Sequence, residues 1–216
     1  MKKTLFISSG ILLLLAFLAG ALYFKSEQAD QAEQMADQNR AGMLRDHAPQ
    51  LGPTAAKVRI VEFLDPACGT CRLFYPLVKS MLNANPDKIH LTLRYTPFHE
   101  NSDQVVALLY AADQQGKHWE VLEALLAAQD DWVKHHVAQP DRVWPHLEGI
   151  GLDLEKLRTD MQAPAIRQQI EQDLADTQLL NVSKTPEFFV NGKPMPSFGE
   201  EQLRELVDTA LASEYR

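Results

Sequence analysis

The sequence holds only two cysteines in 216 residues, Cys68 and Cys71. That excludes a disulfide-dense scaffold and leaves no structural disulfide framework beyond one pair. With no second cysteine pair and seven scattered histidines, a four-ligand structural zinc site lacks its donors. Basic residues are also scarce: 21 Lys+Arg stand against 29 Asp+Glu, a net charge of −8. A general nucleic-acid binder, which needs a basic face to displace counterions, is excluded. There is no internal repeat. A 45% hydrophobic content excludes a wholly disordered chain, and the length suits one ordinary domain with attachments.

Charge is absent from Leu5 to Phe24, a run of 20 residues. A helix of that length spans roughly 30 Å, about one hydrocarbon core. Lys2 and Lys3 flank it on the side expected to stay cytoplasmic. Three of the 21 bases lie in residues 1–25, so the remainder has 18 bases against 29 acids, a net of −11. We expect residues 1–25 to be an N-terminal transmembrane anchor, single-pass in the inner membrane, with the main domain facing the periplasm or exterior. The alternative is a signal peptide cleaved near Ala19-Gly20-Ala21, giving a soluble periplasmic protein. Residues 26–53, rich in Gln, Asp, Glu and Ala, read as a polar stalk, with self-association as the alternative. Gly52-Pro53 ends it.

The folded domain is expected over residues 54–213. Lys57 to Leu64 is β-branched and apolar, the pattern of a strand. Phe74, Leu77, Val78, Met81 and Leu82 then fall on one helical face. Ile89 to Tyr95 alternates strictly, with His90, Thr92 and Arg94 opposite the apolar set. Strand, helix and strand in about 40 residues is the length of a right-handed parallel crossover. About 80 residues of helical pattern follow, roughly 100–180, including a short third helix around Val143 to Ile150 and a longer one opened near Pro164. Trp119, Trp132 and Trp144 fall on these segments as packing residues. Glu187 to Val190 returns to strand, Asn191-Gly192 signals a tight hairpin, and Lys193 to Phe198, with two prolines, forms an edge. Leu203, Leu206, Val207 and Ala210 mark a final amphipathic helix.

Cys68-Gly69-Thr70-Cys71 lies directly after the first strand and opens the first helix. Unpaired N–H groups and the positive end of the helix dipole favour a thiolate at Cys68, whose pKa is expected to fall. Cys71, three residues on, is expected to be the buried, resolving thiol. An inert bridge closing so short a loop would gain little entropically. Late in the chain, Thr185-Pro186 precedes the Glu187 strand; a cis bond there would make a tight turn into it.

This ordered set resembles the DsbA-like thiol–disulfide oxidoreductases. Their fold is α/β: a thioredoxin fold with an inserted helical subdomain. The likeness runs over about residues 54–213 and is close at Pro186 to Gly192. It implies that Cys68 attacks, that Cys71 resolves, and that a cis Thr185-Pro186 lies beside the sulfurs, with the Thr185 backbone pairing with substrate peptide. It also implies an acid beneath the cysteines, here Glu62, whose burial would raise its pKa and let it exchange a proton with Cys71. The alternative is that Glu62 points outward. Asp65 is read as a strand-end or turn residue and Arg72 as an exposed base. Gly69-Thr70 departs from the Pro-His of strong oxidants in this family and from the Gly-Pro of reducing thioredoxins.

The function expected is exchange of disulfides with exported, cysteine-containing polypeptides. The pair would be recycled by a membrane redox partner, with no metal or organic cofactor and no nucleic acid. Rival readings are a disulfide isomerase or reductase of the same fold, and a non-enzymatic chaperone or copper-handling protein using the cysteines as soft ligands.

Overall fold

The computed structural model describes residues 17–28 and 42–216. Residues 1–16, which hold most of the expected membrane span, and residues 29–41 of the expected stalk lie outside the described residues. Residues 17–28 are helical and exposed. Among the described residues, no helix is long and apolar enough to cross a membrane.

A five-stranded sheet organises the domain, in the order β1-β3-β2-β6-β7. Its strands are β1 (Gln50–Leu51), β2 (Val58–Leu64), β3 (Ile89–Tyr95), β6 (Glu187–Val190) and β7 (Lys193–Pro194). The central β2 runs parallel to β3 and antiparallel to β6. Helix α1 (Gly69–Ala84) makes the β2-to-β3 crossover. Its missing donor at Pro76 leaves the Arg72 carbonyl without its usual helical partner. Asn191 and Gly192 both have positive φ, 49° and 81°, which the tight β6–β7 hairpin requires and which the Asn-Gly pair tolerates.

Period-two alternation divides β2 between two faces. Val58 and Ile60 point with Ile89, Leu91, Phe188 and Val190 toward α1 and the last helix, α7 (Glu200–Glu214). Val61 and Phe63 point the other way, against Met43, Leu180, Val182 and Phe189. Each fully buried Phe, Leu or Ile of this kind contributes about 1.5–3 kcal/mol of transfer free energy.

Between β3 and β6 the chain builds the helical insert. Its helices are α2 (Ser102–Asp113), α3 (His118–Ala127), α4 (Gln129–Trp132), α5 (Leu154–Asp160) and α6 (Pro164–Leu179). The stretch expected as a third helix is instead two 3-10 turns, Pro140–Arg142 and Trp144–Leu147, where Pro140 and Pro145 sit in the first turns. A two-stranded ribbon, β4 (Val133–Lys134) and β5 (Val137–Ala138), interrupts the helical pattern. It turns through His135 and His136, both at positive φ. Trp132 is fully buried, its indole N–H donating to the Leu125 carbonyl at 2.8 Å.

Both faces of β3 are buried, including His90, Thr92 and Arg94. Residues 42–51 and α6 cover the polar face. Arg94 donates to Asp173 (2.9 and 2.6 Å), to Asp176 (2.6 Å) and to the Gly42 carbonyl (2.6 Å). Arg45 adds two bonds to Asp176 and His47 one contact to Asp173. The C-terminal end of the segment read as a stalk is thereby fastened to the domain.

Candidate active site

Strand β2 delivers the chain to Asp65, whose buried carboxylate gathers the loop. It accepts from Ala67 N (2.9 Å), Phe98 N (2.8 Å), His99 N (2.8 Å), His99 Nδ1 (2.7 Å) and the Ser102 hydroxyl. So Asp65 is a turn residue, as its position after β2 suggested, and it pins the start of the insert to the approach to Cys68. Cys68 itself is the N-cap of α1, in extended backbone conformation.

Cys68 Sγ accepts from the Cys71 backbone N–H at 3.4 Å. A bond from the Cys71 thiol, then one from the Thr185 side chain and the N–H groups of Cys71 and Thr70, outweigh burial and hold the Cys68 thiol down at about 5. Cys71 is fully buried, and burial pushes its thiol well above the ordinary value, reinforced by its bond to Cys68 and by the charges of Cys68 and Glu62. One sulfur is therefore an anion at neutral pH and its neighbour a proton donor to it.

The Thr185-Pro186 bond is cis, and the Thr185 carbonyl lies 3.2 Å from Cys68 Sγ, where the thiol form of Cys68 donates to it. Two loops 117 residues apart thus meet at the nucleophile. Glu62 lies on the α1-facing side of β2, fully buried, and neither carboxylate oxygen has a hydrogen-bond partner among the described residues. Burial, then the negative charge of Cys68, raises its pKa to about 8. The structure brings Cys68, Cys71, Thr185, Pro186 and Glu62 into one neighbourhood.

Around this centre, Arg72 pairs with Asp130 at 2.8 Å. Tyr75 donates to Glu123 on α3 at 3.0 Å. Leu73 and Phe98 are exposed. Both cysteines belong to the same apolar cluster as the insert helices, packed with Leu64, Tyr75, Tyr95 and Trp132. Gln129 also reaches the motif, donating to the carbonyls of Pro66 and Cys68. Nothing in the sequence marks that glutamine, one polar residue among several near the end of a helical run. Among the described residues there is no group of three or more His, Cys, Asp or Glu side chains placed to hold a metal ion.

A reactive pair capping a helix beside a cis proline defines a thioredoxin-fold redox protein. The thioredoxin family model matches residues 45–209, and the chain belongs to that family. The structure of a thioredoxin-like oxidoreductase from Silicibacter pomeroyi DSS-3 is similar at a TM-score of 0.67 and 32% identity, covering 78% of this chain and 94% of that one. Disulfide bond formation protein D of Bacillus subtilis is 25% identical over 182 residues, 76% of this chain and 77% of that protein. Na(+)/H(+) antiporter NhaA 3 of Salinispora tropica is 31% identical over 173 residues, 78% of this chain but 25% of the antiporter. This chain therefore spans about a quarter of the length of the antiporters it matches.

Proposed function

We propose that the protein exchanges disulfides with exported, cysteine-containing polypeptides through Cys68 and Cys71. The observation that carries the reading is the sulfur of Cys68 capping α1 and facing the cis Thr185-Pro186 loop at 3.2 Å. In the reducing direction the Cys68 thiolate attacks one sulfur of a client disulfide. The S–S bond breaks, and the client's other sulfur leaves as a thiolate and takes up a proton. Cys71 passes its proton to Glu62 in its carboxylate form, attacks Cys68 Sγ of the mixed disulfide, and releases the second client sulfur as a thiolate, which takes up a proton in turn. The pair ends as a disulfide, and the client has gained two electrons and two protons. The reverse sequence oxidises a client dithiol. A thiolate stabilised at Cys68 favours the reduced pair, which makes its disulfide the stronger oxidant and supports the oxidising direction.

The edge of the Thr185 backbone beside the sulfurs suits an extended client segment. A membrane redox partner returns the pair to its working state, and sulfur chemistry alone needs no cofactor. The uncharged run Leu5–Phe24, behind Lys2 and Lys3, supports a tether on the inner membrane with the domain outside.

Cys71→Ser tests the reading. Mixed disulfides between Cys68 and clients are expected to accumulate on non-reducing gels and to vanish in a Cys68→Ser background. Tight binding of one Cu(I) per chain, with no exchange against glutathione, would instead make the pair a metal ligand.

A further inference from the structure

The loop that presents Cys68 is held from the helical insert as much as from the thioredoxin core. Gln129 opens α4 and is 3% exposed. Its Nε2 has two protons and two acceptors: the Pro66 carbonyl at 2.8 Å and the Cys68 carbonyl at 3.1 Å. The Cys68 carbonyl also accepts the Arg72 N–H at 3.2 Å, at the start of the helical ladder. The other end of the amide, Oε1, lies 3.9 Å from where a Cβ on Gly69 would stand. The side chain thus lies along the backbone on both sides of the nucleophile.

This arrangement has an electrostatic consequence. A carbonyl oxygen near a sulfur anion is repulsive, and more so inside a protein than in water. Binding both carbonyls to an amide cancels part of their dipoles and fixes their direction. An apolar side chain of the same length would fill the space, leave the buried Pro66 carbonyl without the Gln129 bond at about 1–3 kcal/mol, and leave the Cys68 carbonyl with the Arg72 N–H alone.

We propose that Gln129 is a positioning residue. By holding the carbonyls of Pro66 and Cys68, it keeps the first-turn N–H groups of α1 aimed at Cys68 Sγ. The helical insert thereby sets the reactivity and redox poise of the cysteine pair. The inference rests on the exchange function proposed above.

Three variants of the full chain test it: Gln129→Met, of similar length without donors; Gln129→Glu, of the same shape and an acceptor when ionised; and Asp130→Asn, next door on the surface. The readouts are the ultraviolet absorbance of the Cys68 thiolate against pH and the equilibrium with glutathione. Gln129→Met is expected to raise the midpoint of the thiolate titration by about one unit, and Gln129→Glu by more. The glutathione equilibrium is expected to move about tenfold toward the protein disulfide, or ~30 mV. Asp130→Asn is expected to stay within about twofold, as an exposed pair would. In the wild type, the side-chain amide resonances of Gln129 are expected to titrate with the same midpoint as the thiolate.

A merely structural glutamine would lower the melting temperature and leave the midpoint where it is. Variants of Gln129 that titrate with the wild type, or wild-type amide resonances that stay flat through the thiolate midpoint, overturn the assignment. That amide measurement needs no variant to fold. If the wild type itself shows neither an acidic thiol nor exchange with glutathione, the exchange function is what fails.

Discussion

On one side of the central sheet, Asp173 and Asp176 meet Arg94 and Arg45, with Tyr110 also donating to Asp173. On the other side, Glu62 is equally buried and meets no donor among the described residues. Both arrangements put acids where water is absent, and desolvation acts on each. At Asp176 burial pushes the pKa up, but the bonds and charges of Arg45 and Arg94 outweigh it, and the net shift is downward. At Glu62 nothing opposes burial, and the carboxyl rises to about 8. The satisfied acids are anchors that join residues 42–47 and α6 to β3. The unsatisfied one can hold or lose a proton near physiological pH, which is the property a proton relay to Cys71 needs.

The largest expected effect falls on the anchored side. Arg94→Ala leaves two buried carboxylates short of their main partner and is expected to cost about 3–5 kcal/mol of stability, read by urea denaturation. The titration of Cys68 in the molecules that remain folded is expected to be unchanged. A loss below about 1 kcal/mol would mean that the two sides differ less than their bonding suggests.

Glu62→Gln probes the other side. Below the unfolded carboxyl value Glu62 is protonated in both states and contributes no pH dependence. As pH rises toward 8 the unfolded chain ionises first, so the native state is progressively penalised. Removing the ionisable group is therefore expected to stabilise the protein above pH 8 by a few kcal/mol and to leave it nearly unchanged at pH 4. The same variant is expected to slow resolution of a mixed disulfide by ~10²-fold and to remove an inflection near pH 8 from that rate. Greater stability with slower chemistry is the combination that separates a proton relay from a packing residue.

Cys68 adds a slope of the opposite sign. Cys68 is held at about 5 against an ordinary 9.0, so the folded reduced form gains stability as pH rises through that window. As pH falls through 5 the thiolate is protonated and the gain is gone. The stability of the reduced protein, measured relative to a Cys68→Ser variant, is expected to rise by a few kcal/mol between pH 5 and pH 9. A flat difference would place the Cys68 thiol at its ordinary value and undo the proposed mechanism.

How far the sequence reveals each side follows from distance along the chain. The reactive pair was legible because its determinants are local: a strand, a four-residue motif and a helix start within about 15 residues. Glu62 was legible as an acid interrupting an apolar strand. The cis Thr185-Pro186 was legible only together with the motif it faces. The anchored side was not. Arg94 and Asp173 are separated by 79 residues, and an alternating strand shows two faces without saying what will cover the polar one. The same holds for Gln129, 61 residues from the carbonyl of Cys68. The ribbon at Val133–Ala138 was missed because two-residue strands carry no period to detect.

The comparison is sharpened last by an acid that is partnered but not buried. Glu123 accepts from Tyr75 at 3.0 Å and pairs with Lys79 at 3.1 Å, linking α1 to α3. On partners alone it resembles Asp176, and a count of partners would rank its removal alongside. Its side chain is 48% exposed, however, and Lys79 is 30% exposed, so water screens the pair and solvates whichever partner is left behind. Glu123→Gln keeps an oxygen for the Tyr75 hydroxyl and removes only the charge. We expect it to change stability by less than about 0.5 kcal/mol, and a double-mutant cycle with Lys79→Met to return a coupling energy under about 1 kcal/mol. A coupling as large as the effect of Arg94→Ala would show that partner number, not exclusion of water, distinguishes the acids of this protein.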